Sequence, residues 1–134
     1  AELEWFYQEG CSWVYPDAFE AYLAPIPPEE RGDMIAAYHK RLTHEDRAVQ
    51  LEAARAWSMW AGSTLSLLPN PERVRLFGTD AYALAFARIE CHYFVHGGFF
   101  EVEDQLLRPL DETTLRNALA EHLFQMRTFE EVTA

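Results

Sequence analysis

The chain has 134 residues, 49% hydrophobic and 14% aromatic, with 22 acidic residues against 11 Lys plus Arg and a formal net charge of -11. That length fits one domain with its own core, and the composition excludes a disordered chain. The negative field argues against nucleic acid and anionic membrane partners, and with no 18-residue apolar run and no basic leader the expectation is a cytoplasmic protein.

In chain order, Leu3, Trp5, Phe6 and Tyr7 predict a short helix with one aromatic face, stopped at Gly10. Pro16-Asp17 opens a second helix over residues 18–23, because proline is tolerated in a first turn. The run Ala24-Pro25-Ile26-Pro27-Pro28 breaks the chain, and Pro28-Glu29-Glu30 starts a third helix through Met34, Ile35, Tyr38 and Leu42. Thr43, with Asp46 three residues on, reads as the N-cap of the longest helix, which carries Ala48, Val49, Leu51, Ala53, Ala54, Trp57, Met59 and Trp60.

Leu68-Pro69-Asn70-Pro71 forms a loop, and Glu72 to Phe77 is the one candidate for a short extended piece. Phe77-Gly78-Thr79-Asp80 supplies a stop, a cap and a fresh start. From 81 to 96 apolar positions nearly fill the sequence, which predicts a central helix wrapped by the others and ended at Gly97-Gly98. Asp111-Glu112-Thr113-Thr114-Leu115 leads Ala118, Leu119, Leu123 and Phe124 into a last amphipathic helix. The fold class is all-α, a compact bundle of about six helices with no internal repeat.

The polar residues set in the apolar run at 81–96 carry the most information, since a charge on a buried face costs several kcal/mol unless paired or used. Arg88 and His92 share a face, whereas Glu90 points away from them by about half a turn. Glu90 either closes a buried ion pair, lies at a wet rim, or waits for a cationic ligand. Cys11 and Cys91 are expected to be free thiols, and Cys91 and His92 point about 100° apart, which spoils a nucleophile–base pair. His92 and His96 have the spacing of a metal clamp but no third ligand, so no metal and no cofactor are expected. His39, His44 and His122 are scattered over solvent faces. Aromatic residues in excess of simple packing (Trp5, Phe6, Tyr7, Trp13, Tyr15, Trp57, Trp60, Tyr93, Phe94, Phe99 and Phe100) would suit, beside one carboxylate, a small apolar ammonium. The chain contains no G-x-S-x-G elbow, P-loop, dinucleotide fingerprint or CxxC.

Four stretches resemble the helical cap of bacterial proline iminopeptidases, which are α/β-hydrolases: Glu4-Trp5-Phe6-Tyr7-Gln8-Glu9-Gly10 with Pro16-Asp17-Ala18, Arg55-Ala56-Trp57-Ser58-Met59-Trp60, Ala83 through Val95, and Gly97 through Arg108. The resemblance implies a cap over residues 1–108 and an added helix and tail over 109–134. It also implies that Glu90 is one of the glutamates that hold the free amino group of an N-terminal proline. The second glutamate of the family follows a tryptophan, and here Trp60-Ala61-Gly62 lacks it; Cys91 and His96 stand where the family has asparagine. On the family's pattern the catalytic serine precedes residue 1 and the acid and histidine follow Arg108, so no peptidase activity is expected of the chain.

The leading expectation is therefore a repurposed or engineered cap that binds a small apolar or cationic molecule in the former proline pocket, with Glu90, Trp60, Ala61, Phe6, Tyr15, Trp57, Cys91, Tyr93 and Phe94 as ligand-binding residues. The alternatives are a new enzyme with Glu90 as general base, which burial would favour, and a helical scaffold that forms a homodimer.

Overall fold

The computed structural model describes residues 2–102. The chain divides into two units, Ala1–Phe99 and Phe100–Ala134, and the bundle described below is the first. The expected helix over 109–134, and His122 within it, lie outside the described residues.

The first unit is all-α: α1 Glu2–Tyr7, a 3₁₀ turn Cys11–Trp13, α2 Pro16–Leu23, a 3₁₀ turn Pro28–Glu30, α3 Met34–Leu42, α4 Arg47–Thr64, α5 Pro71–Phe77, α6 Asp80–Val95 and a last 3₁₀ turn Gly97–Phe99. No strand occurs among the described residues. None of their helices is long and apolar enough to cross a membrane.

Local chemistry sets the boundaries. Pro16 takes the first position of α2, as expected. The third predicted helix is two elements instead, because its cap lies later in the sequence: Pro28–Glu30 closes only a 3₁₀ turn, and Asp33 then starts α3 by accepting the Ala36 amide at 3.0 Å. The longest helix begins three residues later than predicted. Thr43 ends α3, with its hydroxyl donating to the His39 carbonyl, and Asp46 caps α4 through the Ala48 amide. The candidate extended piece is helical, since Asn70 caps α5 by accepting the Arg73 amide at 3.0 Å and Pro71 follows at its first turn.

Two glycine positions depend on having no side chain. Gly10 has φ 141°, and a Cβ there would overlap the Trp5 indole, so the chain folds tightly back on α1 only with glycine at this point. Gly97 and Gly98, at φ 60° and 67°, end α6 where the sequence puts its stop.

The central helix is α4 rather than α6. It packs against α2, α3, α5 and α6 and buries Ala53, Ala54, Trp57, Ser58, Trp60, Ala61 and Gly62. Its small residues meet Ala83 and Ala87 of α6, and Ser58 Oγ donates to the Ala83 carbonyl at 3.1 Å, which lets the two helices approach closely. The apolar run of α6 is only half covered: Ile89 is 62% and Tyr93 52% exposed. Burying Trp57, Trp60, Tyr22 and Tyr38 completely builds an aromatic core in which Tyr22 stacks on Tyr38 with centroids 4.7 Å apart and the Tyr38 hydroxyl donates to the Tyr22 carbonyl.

Replacing Asp33 by Ala removes the α3 cap and is expected to cost about 1 kcal/mol in urea unfolding, with Asp33→Asn keeping most of it. Equal stability of Asp33→Ala and the parent chain would show that the cap contributes nothing.

Candidate functional site

Glu90 sits on the covered side of α6, half-buried, where α1 and α4 converge on it. The Trp57 indole N–H donates to its Oε2 at 2.7 Å, and the Tyr7 phenol lies close beside it. Tyr7 stacks on Trp57 with centroids 4.6 Å apart at 16°, and Phe94, one turn beyond Glu90, leans on both rings at 5.1 and 6.1 Å. The carboxylate is therefore flanked by aromatics and held by one neutral donor, the Trp57 indole. None of the ion pairs among the described residues includes it.

Burial pushes the Glu90 carboxyl above the ordinary carboxylate range, and the Trp57 and Tyr7 groups beside it pull it only part of the way back. Burial raises the Tyr7 phenol as well, with the neighbouring Glu90 charge adding to it. Cys91 turns toward α3, its Sγ 3.6 Å from the Ile35 carbonyl, and burial followed by the Glu90 charge pushes its thiol up to about 12. Cys11 and Cys91 are both free and buried, so neither is an activated nucleophile.

Of the residues singled out in the sequence, Glu90, Trp57 and Phe94 come together in this cluster. Phe6 and Trp60 form the adjoining layer, with Trp60 buried between Phe6, Phe19 and Tyr22 at 5.9, 5.2 and 5.5 Å, whereas Ala61 is buried on α4 outside that core cluster. Tyr15 stands elsewhere, its hydroxyl donating to the Ser66 carbonyl at 3.2 Å, on the wall of an open groove of about 860 Å³ that Met59, Pro69 and Val74 also line. Tyr93 turns outward against Phe99. Cys91 borders a different cavity, about 260 Å³, with His39, Arg88 and His92. Tyr7, counted in the sequence among the excess aromatics but not among the ligand-binding residues, also belongs to this cluster. Its signal is a polar-tipped aromatic on the covered face of an aromatic helix, since a buried hydroxyl needs a partner.

His92 and His96 lie side by side with ring centroids 4.4 Å apart, and His96 Nδ1 is 2.8 Å from the His92 carbonyl. Among the described residues no group of three His, Cys, Asp or Glu side chains converges as a metal would require.

The folded domain keeps a proton on Glu90 at pH values where the unfolded chain has lost it. Glu90 therefore contributes a decline in stability as pH rises from about 4.5 through the raised value. Glu90→Gln should flatten that decline in unfolding measured from pH 4 to 8, by up to about 1.4 kcal/mol per pH unit within the window. An unchanged slope in the variant would mean that Glu90 titrates as an ordinary carboxylate.

No family model matches the sequence. Among curated proteins it aligns with proline iminopeptidases: 56% identity over 110 residues with a probable enzyme of Leptolyngbya boryana, 59% over 107 with that of Xylella fastidiosa, and 47% over 112 with that of Arabidopsis thaliana. These alignments cover 82%, 80% and 83% of this chain but only 34%, 34% and 30% of the relatives, so the chain spans about a third of their length.

Proposed function

We propose that this chain, a helical segment related to proline iminopeptidase, receives the ammonium group of a small apolar molecule on the carboxylate of Glu90. The observation that carries this reading is a half-buried carboxylate that accepts from a neutral indole and, among the described residues, is paired with no cation. An ionised carboxylate so placed has lost part of its hydration without gaining a counter-charge, and a ligand ammonium supplies the missing charge. Trp57 fixes the carboxylate by one hydrogen bond, and an ionised carboxylate has about four lone-pair sites, so acceptor capacity remains for the ligand N–H. The part-exposed ring of Phe94 beside the carboxylate favours a cation with an apolar ring attached, by cation–π attraction worth about 0.5–2 kcal/mol, while Tyr7 and Trp57, stacked and buried, form the floor beneath it.

The relatives' name directs the choice of ligand to proline with a free imino nitrogen, which is such an apolar ring bearing a cation. Within these 134 residues no serine elbow accompanies the carboxylate. The segment on its own therefore recognises rather than cleaves, and cleavage needs catalytic groups that this sequence does not supply.

Calorimetric titration with prolinamide, with cyclopentanecarboxamide as a neutral ring control, tests the reading. Prolinamide is expected to bind, more tightly as pH rises through the Glu90 titration. The neutral ring should bind at least about tenfold more weakly, and Glu90→Gln should cost prolinamide a similar factor, the worth of one charge-assisted hydrogen bond. Heats that are the same for the variant, or for the uncharged ring, would sink the proposal.

A further inference from the structure

On the side of α6 turned away from Glu90 lies a cluster that the proposed function does not use. Arg88 and His92, four residues and about one turn apart, share the exposed face of the helix, and His39 of α3 joins them. Together they line a cavity of about 260 Å³ whose apolar part is Leu42, Ile89 and the buried Cys91, and no carboxylate lines it. The chain as a whole has 22 acidic residues against 11 Lys plus Arg, so three cationic or protonatable groups around one carboxylate-free cavity invert the prevailing charge.

These groups are not occupied elsewhere in the fold. Arg88 makes no hydrogen bond or ion pair among the described residues, and the ring nitrogens of His39 and His92 make none either. Other basic side chains are spent, Lys40 and Arg41 on Glu30 and Arg55 on Asp80. The helix dipoles account for part of the cluster, since a last turn favours cations, and His39 and His92 stand in the last turns of α3 and α6. They do not account for Arg88, which lies about two turns before the end of α6. Arg75 on α5 makes no ion pair among the described residues either, but the groove it lines also contains Asp17.

The geometry points to this cavity as a binding site for a small tetrahedral oxyanion, the phosphate group, held between the guanidinium of Arg88 and the N–H groups of His39 and His92. The donors decide the class of ligand. A carboxylate is satisfied by the guanidinium fork alone, whereas a phosphate presents oxygens in diverging directions to donors that here come from two helices. Each imidazole has an N–H to give whether neutral or charged. The His92 ring packs against His96 and Phe99, with centroids 4.4 and 5.5 Å away, which limits the freedom it loses on binding. The volume suits a group of this size rather than a drug-sized molecule, for which pockets begin at about 300 Å³. The charges of Glu90 and Asp33 reach the Cys91 thiol at the cavity's wall and oppose an anion, so the expected affinity is on the order of millimolar.

Inorganic phosphate titrated into the 134-residue chain at about pH 7.5, with sodium chloride exchanged against it to hold ionic strength, tests the site through NMR amide shifts. Saturable shifts are expected in the amides of residues 39–43 and 88–92 and not in those at the centre of α4. Arg88→Gln should weaken binding about tenfold or more, and His92→Gln several-fold. Arg75→Gln, the same change of charge at an exposed position on α5, should leave it unchanged. Acetate should bind at least about tenfold more weakly than phosphate. Shifts that never saturate, that chloride reproduces, or that Arg75→Gln weakens as much as Arg88→Gln would overturn the site, because they mark a diffuse ionic response. Acetate binding as tightly as phosphate would overturn the tetrahedral assignment. Phenyl phosphate distinguishes the source of the group: binding at least as tight as that of phosphate supports an ester there, and weaker binding supports the free ion. Should Arg88→Gln fail to fold, His92→Gln and the contrast of phosphate with chloride in the parent chain decide.

Discussion

The indole of Trp57 holds the bundle and the candidate site together. One face stacks on Tyr7, the edges meet Tyr22, Tyr38 and Phe94, and the N–H points at Glu90, so a single side chain on α4 joins α1, α2, α3 and α6. Of the two fully buried indoles, that of Trp57 has an acceptor for its one donor, whereas Trp60 Nε1 has no hydrogen-bond partner among the described residues. The Trp57 acceptor is a carboxylate, which fixes where Glu90 must sit and sets the register of α6 against α4. The small residues along that contact, Ala54 and Ser58 against Ala83 and Ala87, bring the backbones close enough for the bond to form.

Much of this was legible in the chain order of residues. Pro16 and the Gly97-Gly98 pair mark the start of α2 and the end of α6 because each acts locally, through a fixed φ or a φ that other residues avoid; the Phe77-Gly78-Thr79-Asp80 run lies where α5 ends and α6 starts, with Gly78 at an ordinary φ of −80° and the Thr79 hydroxyl donating to the Leu76 carbonyl. The caps of α3 and α4 were harder. Thr43 and Asp46 both have the chemistry of an N-cap, and the choice falls to Asp46 because the hydroxyl of Thr43 is engaged at the end of α3. In the same way Asn70 turns Arg73 to Phe77 into a helix although their side chains alternate as a strand's would.

The position of α6 was misread for a different reason. Periodicity counts apolar side chains and does not say which of them meet a partner, so a helix apolar nearly all round reads as central even when Ile89 and Tyr93 face outward. The helix that is central carries alanine, serine and glycine, weak in hydrophobicity but permissive of close packing. The site shows the same division. The sequence singles out Glu90 as an unusual charge and names Trp57 and Tyr7 among the aromatics of a pocket, but that these two, far from it in the chain, are the rings beside the carboxylate becomes visible only in the fold.

The choice of a neutral donor rather than a guanidinium decides what Glu90 is able to do. An arginine at its side would lower the carboxyl, satisfy its charge and leave nothing for a ligand. Arg88 is near in sequence, but two residues along a helix is about 200° of rotation, and its side chain lies on the exposed face beside His92. Phe94, four residues on, instead falls on the Glu90 side and covers it. The spacing Arg88, Glu90, Phe94 thus keeps the helix's own cation off the carboxylate and an aromatic ring over it. A carboxylate in that setting, without a cation among the described residues, is neutralised by a proton or by a cation brought to it.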